Sequence, residues 1–154
     1  MLPEVTWNTP LNTTNTIQIT LRAPTGGFDV SSVVSTIPSV NWDCNVHIFQ
    51  PAEAPQFDYF SFAMTSMGTT ALTYEEGVET PLFTFVNQGI CTGSVIIIDE
   101  NDPFYPPNSQ NANIGNLILT LGGGNSNAYS GVYNPGRANC ESCQVSYFLE
   151  KLPD

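Results

Sequence analysis

The stretch TIQITL, residues 16–21, decides the fold class. Ile17, Ile19 and Leu21 fall on one side of an extended chain, with Gln18 and Thr20 on the other. That period of two belongs to a strand with one face against a core. Moving outward, DYFSFAM (58–64) repeats the pattern with Phe60, Phe62 and Met64, and NLILTL (116–121) does so with Leu117, Leu119 and Leu121. LFTFV (82–86) and SVIIID (94–99) are denser, as expected of central strands covered on both faces. WDCNVHIF (42–49) and CQVSYFLE (143–150) are two more candidates. Turn-forming runs such as APTGG, QPAEAP, SMGTT and GGGNSN separate them. Helical periodicity is nearly absent, and the best helical candidate is the Val-rich DVSSVVSTI, residues 29–37. The expectation is an all-β, antiparallel β-sandwich of about seven to nine strands with little helix.

At 154 residues the chain has the size of one domain, residues 1–154, long enough to bury a core. Residues 1–15 read as an irregular first segment or a short edge strand, and 150–154 as a frayed end or the start of a linker. MLPEVTWN has no basic segment followed by an apolar one, so the expectation is a mature or excised module with Met1 added. Fourteen acids face three bases, Arg22, Arg137 and Lys151, for a net charge of -11. Such a surface repels phosphate backbones and anionic lipid, which argues against nucleic acid and anionic membrane surfaces. No stretch approaches the ~20 apolar residues of a membrane span, which argues against direct membrane insertion. Cations, neutral sugars and other proteins remain as partner classes.

Cys44, Cys91, Cys140 and Cys143 allow three disulfide pairings. Cys140 and Cys143 form a C-x-x-C, but a zinc site needs two further ligands and the one histidine is His47. No βαβ pattern supports a thioredoxin-type motif. Two structural disulfides are the expectation, placing the chain in an oxidising compartment, secreted or at a cell surface.

Two segments carry candidate binding chemistry. In DENDP (99–103), Asp99, Asn101 and Asp102 offer hard oxygens suited to a structural calcium ion, in a loop expected at one end of the sandwich. The plainer alternative is that Asp99 ends a strand while Asn101 and Asp102 open an Asx turn before Pro103. Tyr105, Tyr129 and Tyr133 lie in Gly/Asn/Pro-rich loops where packing explains large rings poorly. With Asn125 and Asn127 they suit a neutral polyol or a protein surface. Glu75, Glu76 and Glu79 cluster in YEEGVE, but beside a glycine they read as a solvated turn rather than a catalytic pair. His47 has no nucleophile partner and reads as a surface or edge residue. No constellation of nucleophile, base and orienting group emerges.

The order of pieces resembles the cohesin and carbohydrate-binding superfamily of jelly-roll-like sandwiches, through TLRAPTGGFDVSSVVS (20–35) and YEEGVETPLFTFVNQGICTGSVIIIDENDPF (74–104). It also looks like modules of large surface proteins of the Bacteroidetes, exported by type IX secretion, which share LFTF, G.C.G, D…DPF and a closing A(D/N)C. The resemblance covers about residues 16–140. It implies Cys91 and Cys140 as partners, leaving Cys44 and Cys143 for a second bridge. It departs from cohesins at MLPEVTWNTPLNTTN, which shows no long first strand, so a neighbouring chain could supply one. The function these readings imply is a non-catalytic extracellular adhesion or assembly module, contacting other modules or copies of itself. The alternative is a carbohydrate-binding module using loop tyrosines and amides on a polysaccharide.

Overall fold

The computed structural model describes residues 1–65, 70–132 and 137–140. Among the described residues nine strands run in chain order: β1 Thr13–Pro24, β2 Val30–Ser35, β3 Trp42–Phe49, β4 Phe57–Met64, β5 Thr70–Ala71, β6 Phe83–Asn87, β7 Ser94–Ile97, β8 Leu117–Thr120 and β9 Arg137–Asn139. Pairing is antiparallel throughout, so the sandwich-like all-β expectation holds. The candidate strand 143–150, with Cys143 and Tyr133, lies outside the described residues.

The stretch TIQITL lies in the spine. β1 is twelve residues long and sits in the path β3-β4-β1-β7-β9. One edge takes β4 and β5; the other takes β7 at Leu21 and Arg22 and β8 from Thr14 to Gln18. β2 and β6 form a separate two-stranded sheet laid over the front face. Phe83 and Phe85 of β6 stack on Phe62 of β4 at centroid distances of 4.9 and 5.2 Å, and Phe83 meets Trp42 at 4.5 Å. Phe28 closes the lower end against Phe60. Offset and edge contacts of this kind add to the burial of the rings themselves.

Three expectations about the strands need correction. In NLILTL the buried residues are Ile118 and Thr120, while Leu117 and Leu119 are half-buried and Leu121 is 59% exposed, because pairing with β1 and not the alternation alone sets which face of β8 meets the core. DVSSVVSTI contains β2, not a helix: its branched valines restrict χ1 and suit the pleated surface. Ser32, at φ 50°, marks the irregularity where the β2–β6 register shifts. LFTFV does not supply a doubly covered strand; β6 alternates exposed and half-buried residues. The strand covered on both faces is β4, where Tyr59, Phe60, Ser61 and Phe62 are all fully buried.

The back face is covered by a loop. Ile98, Phe104 and Ile114 pack with Ile48, Ala54 and Tyr59 into a second apolar cluster. The segment between β7 and β8 therefore runs back across the sheet instead of standing at one end of the sandwich. Asp102 fastens it. Its Oδ1 accepts from the Tyr59 hydroxyl at 2.8 Å and from the Phe104 N–H at 3.0 Å, and its Oδ2 accepts from Arg22 Nη1 at 2.6 Å. The Asp102 side chain is 2% exposed and that of Arg22 is 23% exposed. Arg22 also lies over the Phe57 ring. At the far end of the loop Asn116 bridges β1 and β7: its Oδ1 accepts from Thr20 N–H and its Nδ2 donates to the Ile98 carbonyl.

Removing the Asp102 carboxylate strands a guanidinium and a buried phenol. Asp102→Ala is therefore expected to cost about 3 kcal/mol in urea-induced unfolding. A loss below about 0.5 kcal/mol, the level of an ordinary surface change, would contradict this account of the loop.

Candidate functional site

Part of the residues singled out as a calcium set and part of those singled out as a sugar set meet in one place. Asp99, Asn101, Tyr105, Asn127 and Tyr129 line a single hollow of about 280 Å3 together with Glu100 and Asn116. Two irregular segments make it: the start of the loop after β7, and residues 127–131 after β8. Period-two reasoning cannot place such segments relative to one another.

Each wall has a local cause. Asp99 Oδ1 accepts from Asn101 N–H at 2.8 Å, and the Asp102 N–H donates to the Asp99 carbonyl. That is an Asx turn, and it leaves Asp99, Glu100 and Asn101 all exposed. Tyr105 lies against Gly115, whose φ is +141° and where a Cβ would come within 3.2 Å of the ring, so glycine is required there. Asn127 acts as a substitute for backbone. Its Oδ1 accepts from the N–H groups of Ile118 and Tyr129, and its Nδ2 donates to the Asn116 carbonyl. It shapes the hollow, with its amide already committed. Asn125, exposed in the turn after β8, does not line the hollow.

Tyr129 joins polar and apolar surroundings. Its half-buried ring packs against the main core. Its hydroxyl is buried beside Asn116 and makes no hydrogen bond among the described residues. Burial, and then the nearby Asp99 carboxylate, raise its pKa, only partly offset by Asn116. Tyr129 therefore stays a neutral phenol at physiological pH, able to donate or accept.

Asp102 faces away from the hollow, both carboxylate oxygens being held by Arg22, Tyr59 and Phe104. The Asp99–Asn101–Asp102 trio thus does not converge on one point. An ion at this loop would have to be held by Asp99, Glu100 and Asn101 with oxygens from the 127–131 side.

The remaining candidates separate cleanly. Cys91 and Cys140 are disulfide-bonded, with Cα atoms 5.3 Å apart. This ties the entry of β7 to the end of β9, where the Cys140 N–H also donates to the Gly93 carbonyl. Cys44 carries a free thiol among the described residues, and burial pushes its pKa up to about 11, so it is a poor nucleophile at neutral pH. His47 is exposed on the terminal strand β3, stacked on Phe49 and Phe60, and burial lowers its pKa against the opposing pull of Asp58 and Asp29. Glu75, Glu76 and Glu79 are exposed around Gly77, and the Glu76 N–H donates to Thr6 Oγ1.

Sequence reasoning missed the N-terminal contribution. Trp7 bridges to Tyr74, their rings 5.9 Å apart, and Met1 exchanges both backbone hydrogen bonds with Thr80. Residues 1–7 thereby become one wall of a second, apolar cavity of about 530 Å3, whose floor is Ile19, Leu21, Ile97 and Ile118. The inward parity of Ile19 and Leu21 was visible in the sequence, but nothing there shows that their covering is incomplete.

Comparison of the chain with protein-family models, curated proteins and solved structures gave no match.

With Asp102 committed elsewhere, the melting temperature is expected to be the same in calcium and in EDTA. A calcium-dependent rise that Asp99→Ala abolishes would instead establish an ion at this loop.

Proposed function

We propose that the protein is a non-catalytic binding module of a secreted or cell-surface protein, and that the hollow at Asp99–Asn101 and Tyr129 takes a neutral saccharide. The observation that carries this reading is the convergence of exposed carboxylates, an exposed amide and the half-buried side chains of Tyr105 and Tyr129 on one small concave surface. Carboxylates accept from sugar hydroxyls, amides and phenols do both, and the Tyr105 ring offers a flat face to sugar C–H groups. The charge of -11 turns away phosphorylated or uronic ligands. The Cys91–Cys140 disulfide supports an oxidising, extracellular setting. The resemblance to surface modules of the Bacteroidetes supports a place within a larger exported protein.

Affinity gels cast with neutral polysaccharides provide the test. A bound polysaccharide should retard the protein, and Tyr105→Ala should weaken binding about tenfold. Migration unchanged across a panel of neutral glycans would remove the reading.

A second reading, adhesion or assembly through protein contacts, has its own support in the sheet margins. β3 ends the strand path and no described strand pairs with its outer edge. Phe49 stands on it 63% exposed. An edge of this kind can accept a strand from another module or a second copy. That reading expects concentration-dependent association in sedimentation, reduced by Phe49→Lys. A monomer at every concentration, with no partner retained on immobilised protein, would count against it.

A further inference from the structure

The polar hollow and the apolar cavity share one wall. Tyr129, Ser130 and Gly131 line both. Across that wall the chemistry changes over the length of one side chain: Tyr129 sets its ring on the core side, while its hydroxyl lies near Asp99. The cavity side presents Ile19, Leu21, Phe85, Ile97, Ile118 and Val132. Its volume of about 530 Å3 falls in the range of small-molecule sites, which run from about 300 to 1,000 Å3 and are mostly apolar with a few placed polar groups. A single residue serving as the boundary between an acid-and-amide hollow and an apolar chamber fits a ligand that is itself divided in the same way.

We infer that the two hollows form one two-part site for an amphiphile with an uncharged, hydroxylated head and a single apolar chain, the chemistry of a neutral glycolipid. The head lies against Asp99, Glu100 and Asn101, and the chain passes over Ser130 and Gly131 into the chamber floored by β1, β7 and β8. Charge selects the head: two carboxylates at the hollow disfavour an anionic amphiphile such as a fatty acid or a phospholipid. Apolar area supplies most of the affinity, since each buried methylene strengthens binding several-fold. This inference rests on the saccharide reading of the polar hollow and adds the chain.

Three probes test it on the intact chain: methyl β-glucoside, octyl β-glucoside below its micelle concentration, and octanoate. Calorimetry gives affinities. Fluorescence reports the chamber, because Trp7 lines it while Trp42 is buried in the core. The octyl glycoside is expected to bind at least about 100-fold tighter than the methyl glycoside, with a blue shift of tryptophan emission. Octanoate is expected to bind at least about tenfold more weakly than the octyl glycoside. Ala128 is exposed and lines the chamber, so Ala128→Trp should abolish the advantage of the octyl chain. Should that variant fail to fold, Val132→Arg blocks the same space from another side. Equal binding of methyl and octyl glycosides would overturn the inference and leave the saccharide reading standing. Octanoate binding as well as the octyl glycoside would overturn the two-part site. Binding of neither glycoside would overturn both readings.

Discussion

The Asp102 carboxylate is the fastening on which the back half of this protein depends. A sheet whose central strand β4 is buried on both faces needs two covers. The front cover is a second sheet, β2 and β6, held by stacked aromatic rings. The back cover is an irregular segment, and such a segment has no ladder of hydrogen bonds to hold it down. Asp102 supplies three bonds instead, to a cation on β1, a phenol on β4 and the loop's own backbone. Tyr59 and Phe104 then pack at 4.9 Å behind it. Charged partners make these bonds stronger than neutral ones, and burial makes their loss costly.

Amide side chains extend the same economy of backbone. β7 and β8 both pair with β1 but leave a junction between them at Thr20. Asn116 fills it, receiving the Thr20 N–H and giving to the Ile98 carbonyl. Asn127 does the equivalent along β8. Buried peptide groups must be paired, and these two asparagines pair them where the strands stop. The polar hollow exists because they do: it lies between the two segments that the asparagines hold in place.

Strands were the most legible feature. WDCNVHIF coincides with β3 residue for residue, and DYFSFAM falls within β4, because alternation is a local property of a half-buried chain. DVSSVVSTI misled because branched residues at mixed spacing give no clear period, and only pairing with β6 decides their state. The density of LFTFV was assigned to burial on two faces, whereas its phenylalanines serve one. The site was half legible. Asp99, Asn101, Tyr105, Asn127 and Tyr129 could each be picked out as chemistry in a loop, yet they belonged to two separate hypotheses until the fold joined them. Asp102 was grouped with its chain neighbours, but its partners lie 80 and 43 residues away.

The sequence by itself determined an all-β chain, its main strands, its acidic character and the supply of cysteines and loop tyrosines. These depend on local periodicity and on composition, which survive without knowledge of distant neighbours. Tertiary structure decided which strand is covered twice and that the acidic loop is a lid on the core. It also decided that Cys91 joins Cys140, and that a polar hollow and an apolar chamber meet at Tyr129. Those outcomes depend on contacts between residues far apart in the chain, where burial and the pairing of every polar group must be met at once. No period within a single segment records that requirement.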